Sequence, residues 1–110
     1  MITDLNYLKT MSNGDPAFIR EMIDLFREQI EEYKIEMPQL LRNKEYSSLS
    51  KMAHKAKSSV AVMGMNEVSE LLKELEILAS EEKEVERYES MIEEFLTQSK
   101  LAIEELGKAL

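Results

Sequence analysis

The stretch DPAFIREMIDLFREQIEEYKIEMPQLLR, residues 15–42, carries the pattern that decides the fold. Asp15 can cap a helix, and Pro16 suits the first helical position because that position needs no backbone N–H. Apolar side chains then recur every three or four residues, which is the spacing of one buried helical face. They are Ile19, Met22, Ile23, Phe26, Ile30, Tyr33 and Met37. Pro38 removes one backbone hydrogen bond, and we expect a kinked helix that continues to about Arg42.

Further helices are predicted on both sides of this one. A short first helix covers about residues 3–11, with Thr3 as its N-cap. A third helix covers about residues 46–63 and stops at Gly64, a residue type common at helix ends. Asn66 can then cap a fourth helix. The apolar stripe of the fourth helix is formed by Val68, Leu71, Leu72, Leu75 and Leu78.

A fifth helix follows the acidic connection SEEKE at residues 80–84 and ends near Gly107. Its inward-facing residues are predicted to be Val85, Tyr88, Ile92, Phe95, Leu96 and Ile103. Four sizeable amphipathic helices joined by short turns predict an all-α fold, namely an antiparallel up-down four-helix bundle with a short extra N-terminal helix. No repeat or linker divides the chain, so residues 1–110 are expected to form a single domain.

Composition narrows the classes of function. The chain has 110 residues with a net charge of −8, which disfavours binding to nucleic acid or to an anionic membrane. It has no cysteine, and this excludes disulfides, thiolate zinc sites and cysteine nucleophiles. It has neither a run of about 18 apolar residues nor the pattern of a signal peptide. We therefore expect a soluble, cytoplasmic protein.

The only histidine, His54, lies in the third predicted helix. At about 100° per residue, Leu49, Ala53, Ala56 and Val60 form the core face of that helix. His54 then points about 140° away from the centre of the core face, towards solvent. Its predicted neighbours on the solvent side are small, and they are Ser47, Ser50, Ser58 and Ala61.

Lysines surround this histidine although the protein is acidic. Lys57 lies one turn beyond His54, Lys51 and Lys55 flank it, and no Asp or Glu occurs over residues 46–66. Such a local cationic surface suits a phosphoryl group or an acidic partner. The alternative interpretation is an ordinary solvated histidine beside ordinary surface lysines.

Residues 53–64, AHKAKSSVAVMG, resemble the hallmark of the histidine-containing phosphotransfer (HPt) domains of bacterial and fungal phosphorelays, A-H-x-L-K-G-S-x-x-x-[LM]-G. Two positions depart from it, because Ala56 replaces the usual Leu and Ser58 the usual Gly. The stretch DPAFIREMIDLFREQIEEY is similar to the second helix of the family, and LLKELEILA, with its Leu-Glu pair at Leu75 and Glu76, is similar to the fourth.

The resemblance implies a phosphorelay intermediate. His54 would accept a phosphoryl group from a receiver-domain phospho-aspartate and pass it to another receiver, with the ammonium of Lys57 meeting the phosphoryl oxygens. An imidazole suits this role because its unperturbed pKa is about 6.5, so it is a good nucleophile near neutral pH. As a hypothesis, we expect the receiver to contact the facing part of the second helix together with Ser50, Lys51, Lys55, Ser58 and Ala61.

The expected partners are response-regulator receiver domains or a hybrid histidine kinase. We expect a monomer that is a carrier and not an ATP-dependent kinase, because no phosphate-binding loop is present. No cofactor or metal is expected on this chain, and Mg²⁺ is expected on the partner receiver only. A di-iron bundle is disfavoured because it needs two Glu-x-x-His motifs, whereas Lys51 stands three residues before His54.

Two alternatives from another class remain open. The first is a non-catalytic helical-bundle interaction module that binds a receiver or another acidic partner. The second is a structural bundle that self-associates through an exposed apolar stripe to which Met63 and Met65 contribute, although methionine more often packs in the core.

Overall fold

The computed structural model of the protein describes residues 3–109, and all regular secondary structure in that range is helical. The helices are α1 (Asn6–Met11), α2 (Pro16–Arg42), α3 (Tyr46–Val62), α4 (Asn66–Glu81) and α5 (Tyr88–Ala109), with a 3₁₀ turn at Val85–Arg87 before α5. None of the helices in this range is long and apolar enough to cross a bilayer.

The second helix has the predicted boundaries and the predicted start. Pro16 occupies its first turn, and the Asp15 carboxylate accepts a hydrogen bond from the backbone N–H of Ala17 at 3.0 Å. The helix continues through Pro38 to Arg42. Six residues of the predicted stripe are buried, while Met22 is half-buried at its edge.

The four long helices bury one common core. Helix α2 packs on α3 and α5, and α4 packs on α3 and α5, with the closest association between α3 and α4. The rings of Tyr33 and Phe95 meet in the core with centroids 5.9 Å apart. Since truncation of a buried aromatic side chain typically costs about 3–5 kcal/mol, these contacts hold α2 and α5 together.

The turn between α3 and α4 is crossed by the beginning of the chain. The backbone N–H of Asp4 donates to the carbonyl of Met63 at 3.0 Å, and Gly64 adopts a left-handed φ of 72°. A Cβ on Gly64 would collide with the backbone of Asp4. The predicted end of α3 is therefore confirmed, but tertiary packing adds a second reason for the glycine.

Several predicted details at the helix ends are wrong. Thr3 does not cap α1, which begins at Asn6. Thr3 is buried instead, and its hydroxyl donates to Glu105 at 2.6 Å, tying the start of the chain to α5. Asn66 is not the cap of α4 either, because it is already helical and no side chain caps this helix.

The buried residues of α4 and α5 differ in part from those predicted. Leu71 and Leu78 on α4 are only half-buried, as are the three predicted residues Val85, Leu96 and Ile103 near or in α5. The buried residues of α5 that the pattern missed are Met91, Ser99, Ala102 and Leu106. Met63 and Met65 are both buried, so an exposed apolar stripe formed by these two methionines is ruled out.

Candidate functional site

The solvent-facing side of α3 carries His54, as the helical spacing predicts. Its core face is completely buried through Leu49, Ala53, Ala56 and Val60, whereas the side chain of His54 is 62% exposed. The small Ala56 lies at the position where the family hallmark has Leu, within the sealed core. The buried face therefore holds α3 against the core, and the imidazole projects from the opposite side of the helix.

Helix α4 brings a carboxylate to this imidazole. Both carboxylate oxygens of Glu76 lie 3.1 Å from the Nδ1 atom of His54. The ammonium of Lys57 also contacts Glu76, with its Nζ atom 3.4 Å from Oε1. Glu76 and Lys57 are half-buried, and His54 is the most exposed of the three. The three side chains form one cluster across the seam between α3 and α4.

The charge of Glu76 is stabilised by this cluster. Burial alone would raise the pKa of its carboxyl group, because a charged carboxylate loses hydration. Hydrogen bonds from His54 and Lys57, together with their positive charges, outweigh that effect and hold the pKa of Glu76 below its ordinary value. Glu76 is consequently an anion at neutral pH and can only accept hydrogen bonds from its two neighbours.

An anionic acceptor at Nδ1 determines which tautomer of His54 is favoured. Nδ1 carries the proton and donates to Glu76, so the lone pair of a neutral ring is on Nε2. Among residues 3–109, no group forms a hydrogen bond with Nε2. The arrangement leaves a nucleophilic nitrogen directed away from the carboxylate and open to an incoming group.

One predicted surface residue is not on the surface. Ser50 was expected beside His54 on the solvent side, but it is only 8% exposed and faces α4. Its hydroxyl donates to the backbone carbonyl of Glu76 at 2.8 Å. The expectation of an exposed Ser50 is wrong because α4 lies closer to this side of α3 than the helical wheel alone can show. Ser50 therefore links α3 to α4 through Glu76, the residue whose carboxylate contacts His54.

The other predicted contact residues are exposed around His54. Lys51, Lys55, Ser58 and Ala61 are all open to solvent. Ser58 also lines a groove of about 200 Å³ between α3 and α2, whose apolar wall includes Leu25 and Phe26. The groove joins the exposed surface at Ser58 to the second helix.

Glu76 is the residue to which sequence reasoning gave no role. It was noted only within the Leu-Glu pair of the fourth helix. A signal was available, because His54 and Glu76 are 22 residues apart and Met65, in the turn between the helices, lies midway between them. Residues at equal distances from a tight turn come together when two helices fold back on each other.

Metal binding finds no support in the arrangement of side chains. Within residues 3–109, no group of three or more His, Cys, Asp or Glu side chains is close enough to hold a metal ion. The cluster of His54, Lys57 and Glu76 offers only an imidazole and a carboxylate as ligands, because the ammonium of Lys57 is not a metal ligand.

Comparison with known protein families places the whole arrangement in context. The model of the Hpt domain family matches residues 21–109, which is nearly the whole chain. Neither curated proteins nor solved structures gave a significant match. Hpt domains carry phosphoryl groups on histidine in two-component phosphorelays, are not kinases, and interact with receiver domains and histidine kinases. An all-helical chain with an exposed histidine, matched over this length, belongs to the Hpt domain family.

Proposed function

We propose that His54 accepts a phosphoryl group from a phospho-aspartate of a receiver domain and passes it to another receiver. The observation that carries this proposal is the pairing of His54 Nδ1 with the Glu76 carboxylate at 3.1 Å, while Nε2 stays open on an exposed side chain. A phosphoacceptor imidazole needs an accessible nitrogen with a free lone pair, and this pairing supplies one.

The transfer step follows from this tautomer. The Nε2 lone pair attacks phosphorus, the N–P bond forms, and the bond between phosphorus and the aspartyl oxygen breaks. The aspartate leaves as a carboxylate on the receiver. The ring keeps its proton on Nδ1 and becomes positively charged, so the anionic Glu76 stabilises the product electrostatically. Transfer to a second receiver reverses these changes.

In this proposal Lys57 neutralises two negative charges, that of the Glu76 carboxylate and that of the phosphoryl group. It balances Glu76 in the free protein, at 3.4 Å. Because it lies one turn after His54 on the same side of α3, its ammonium can also reach the oxygens of a phosphoryl group on Nε2. Phosphoryl transfer depends mainly on positioning and charge neutralisation, which a half-buried ammonium supplies well.

The receiver is proposed to dock on the exposed surface around His54 and on the facing part of α2. The exposed contacts are Lys51, Lys55, Ser58 and Ala61, and the groove beside Leu25 extends them. Small side chains let a partner come close to the imidazole, and the lysines attract an acidic pocket. Ser50 acts indirectly in this proposal, through its bond to the Glu76 carbonyl.

Other features of the protein are proposed alongside this function. We infer that the long helices form an antiparallel up-down bundle within a single domain, because the α2–α3 and α3–α4 connections are short and the contacting helices close a ring. We further propose a cytoplasmic monomer without a cofactor or ATP-dependent kinase activity of its own. Any Mg²⁺ used in the transfer is placed on the receiver.

The test is direct transfer of label. Receiver domains pre-labelled with radioactive phosphate are mixed with the wild-type protein and with His54→Gln. We expect acid-labile, base-stable label on the wild-type chain and none on the variant, both proteins being folded by circular dichroism. Label on His54→Gln, or no label on wild type from a wide set of receivers, would contradict the proposal and favour a binding-only module.

A second prediction tests the docking surface. Ala61→Trp places a bulky ring on the exposed surface about two turns from His54, so it should slow transfer about tenfold or more while the free energy of unfolding stays within about 0.5 kcal/mol of wild type. Rates of label transfer and urea denaturation measure the two quantities. A normal transfer rate in a folded Ala61→Trp protein would move the docking surface elsewhere.

A further inference from the structure

The side of α4 that faces away from His54 carries a long groove. One part, of about 550 Å³, lies at the beginning of α4 and extends to Glu94 on α5. The other part, of about 580 Å³, continues along α4 to Leu78, and the two parts share Glu67 and Leu71. Between Glu67 and Leu78 an α-helix rises about 16 Å, or about three turns. The groove is long enough for a short helix.

This groove is separate from the phosphotransfer surface. At about 100° per residue, Glu67, Leu71 and Leu78 point about 140–180° away from Glu76 around the axis of α4. Glu76 faces His54 on α3. A partner in the groove would therefore contact α4 and α5 and leave the exposed face of α3 free.

The floor of the second part of the groove, along α4, is apolar. Leu71 and Leu78 are half-buried there, at positions where the sequence pattern had predicted full burial. Ile77 lines the same groove and is 47% exposed. Burial of such side chains by a partner removes apolar surface from water, which favours association.

The rim of the groove is acidic. Its carboxylates belong to Glu67, Glu70, Glu74 and Glu94. Glu74 is paired with Arg87 at 2.8 Å, and Lys73 contributes one positive charge. The other three carboxylates have no ion pair within residues 3–109. Four carboxylates therefore face two cations, Arg87 and Lys73, and the rim keeps a net negative charge.

An apolar floor beside a rim of net negative charge fits one kind of occupant best. A helix with an apolar stripe and flanking Lys or Arg residues would place the stripe on the floor and its charges on the rim. A second copy of the chain would bring the same acids against this rim and be repelled. Nucleic acid would be repelled by the same charge.

We propose that this groove of α4 and α5 is a docking site for a basic amphipathic helix of a partner protein. The site is independent of the chemistry at His54, so a docked helix could hold the domain near its relay partners while the imidazole remains accessible. Its test does not depend on whether His54 carries a phosphoryl group.

The experiment uses the ¹⁵N-labelled protein and one synthetic probe. The probe is a 14-residue helical peptide with Leu on one face, Lys on the other positions and blocked ends. Amide chemical shifts are expected to change along residues 67–78 and 94–98, and binding should weaken with added salt. Shift changes centred on α2 and α3, or spread evenly over the acidic surface, would overturn the proposal.

Matched variants separate the groove from general surface attraction. Ile77→Asp should weaken peptide binding at least about fivefold, whereas Ile35→Asp, at an exposed isoleucine on α2 outside the groove, should leave it unchanged. Glu70→Lys should weaken binding comparably through the rim. Unaltered affinity in both groove variants would overturn the proposal, as would concentration-dependent shifts of groove residues without peptide, which would identify a second copy as the occupant.

The phosphotransfer assay provides the remaining control. Ile77→Asp should accept label from a receiver at the wild-type rate, because the side chain of Ile77 points about 100° away from Glu76 around the axis of α4. Loss of transfer in this folded variant would show that the groove and the site at His54 are not separate, and the proposal would fail in this form.

Discussion

The two faces of α4 carry the same kind of side chain in different electrostatic settings. On the face towards α3, Glu76 lies 3.1 Å from His54 Nδ1 and 3.4 Å from Lys57 Nζ. On the other face, Glu67 and Glu70 have no ion pair within residues 3–109. The first carboxylate is held in position by two bases, whereas the others remain available to a cation from outside. The role of a glutamate on this helix is therefore decided by what the neighbouring helix places opposite it.

Removal of the paired carboxylate should have the largest effect. Glu76→Ala should slow transfer from a phosphorylated receiver to His54 about 10- to 100-fold, because the ring loses the acceptor that keeps the proton on Nδ1. Glu76→Gln should lose less, since its amide oxygen can still accept that proton. Single-turnover label transfer measures the rates, and ¹⁵N spectra of the ring report the tautomer.

Glu70→Gln is the matched control on the other face of α4, and it should transfer at the wild-type rate. If Glu76→Ala also transferred at that rate, or if its ring kept the same tautomer, Glu76 would not position the imidazole. The difference between the two faces would then have no bearing on phosphotransfer.

A smaller effect is expected at the hydroxyl that joins α3 to α4. Ser50→Ala removes the 2.8 Å hydrogen bond to the Glu76 carbonyl and should lower the free energy of unfolding by about 1 kcal/mol. Ser58→Ala changes an exposed serine on the same helix and should alter it by less than about 0.5 kcal/mol. Urea denaturation of the two variants gives the comparison, and equal stabilities would show that the buried bond contributes nothing.

The smallest expected effect is a change of stability with pH. The pKa of Glu76 is lowered in the folded protein from the ordinary value of 4.5. Its contribution to stability is thus fully present above that value and is lost as the pH falls through the lower folded pKa. The difference in free energy of unfolding between wild type and Glu76→Gln should shrink when urea titrations are repeated from about pH 6 down to about pH 3.

The pH experiment also has an internal comparison on the opposite face. Glu70→Gln is that comparison, because Glu70 has no ion pair within residues 3–109. A Glu76→Gln difference that stayed constant with pH would mean that His54 and Lys57 do not stabilise the carboxylate in solution.

Much of the fold follows from local sequence. The stripe of α2, the cap at Asp15 and the stop at Gly64 depend on spacing within one helix, and all were predicted. The exposure of His54 was predicted for the same reason. The buried residues of α3 define its core face, and His54 lies on the opposite side of the helix. The buried and exposed faces of a single helix can thus be predicted from its sequence.

The remainder of the site depends on how two helices meet. Ser50 and Glu76 both look like surface residues on a helical wheel, and only the register between α3 and α4 brings them together. Thr3 was misjudged for a similar reason, because its partner Glu105 lies 102 residues away. Amphipathic spacing predicts which face of each helix is buried. It does not predict how the helix is rotated against its neighbour or how closely the two helices pack. The roles of Ser50 and Glu76 depend on that packing, so the sequence alone did not reveal them.

Gly64 has a consequence for which substitutions the chain can tolerate. Residues with side chains adopt the left-handed conformation elsewhere in the protein, namely Asn13, Lys44, Glu82 and Glu84. Positive φ alone therefore does not require glycine in this fold. At Gly64 the backbone of Asp4 occupies the space of a Cβ, so even asparagine, which accepts the conformation, would not fit. Residue 64 is therefore limited to glycine by a segment of the chain sixty residues away, and a different side chain at position 4 would not remove this limit, because backbone atoms occupy the space.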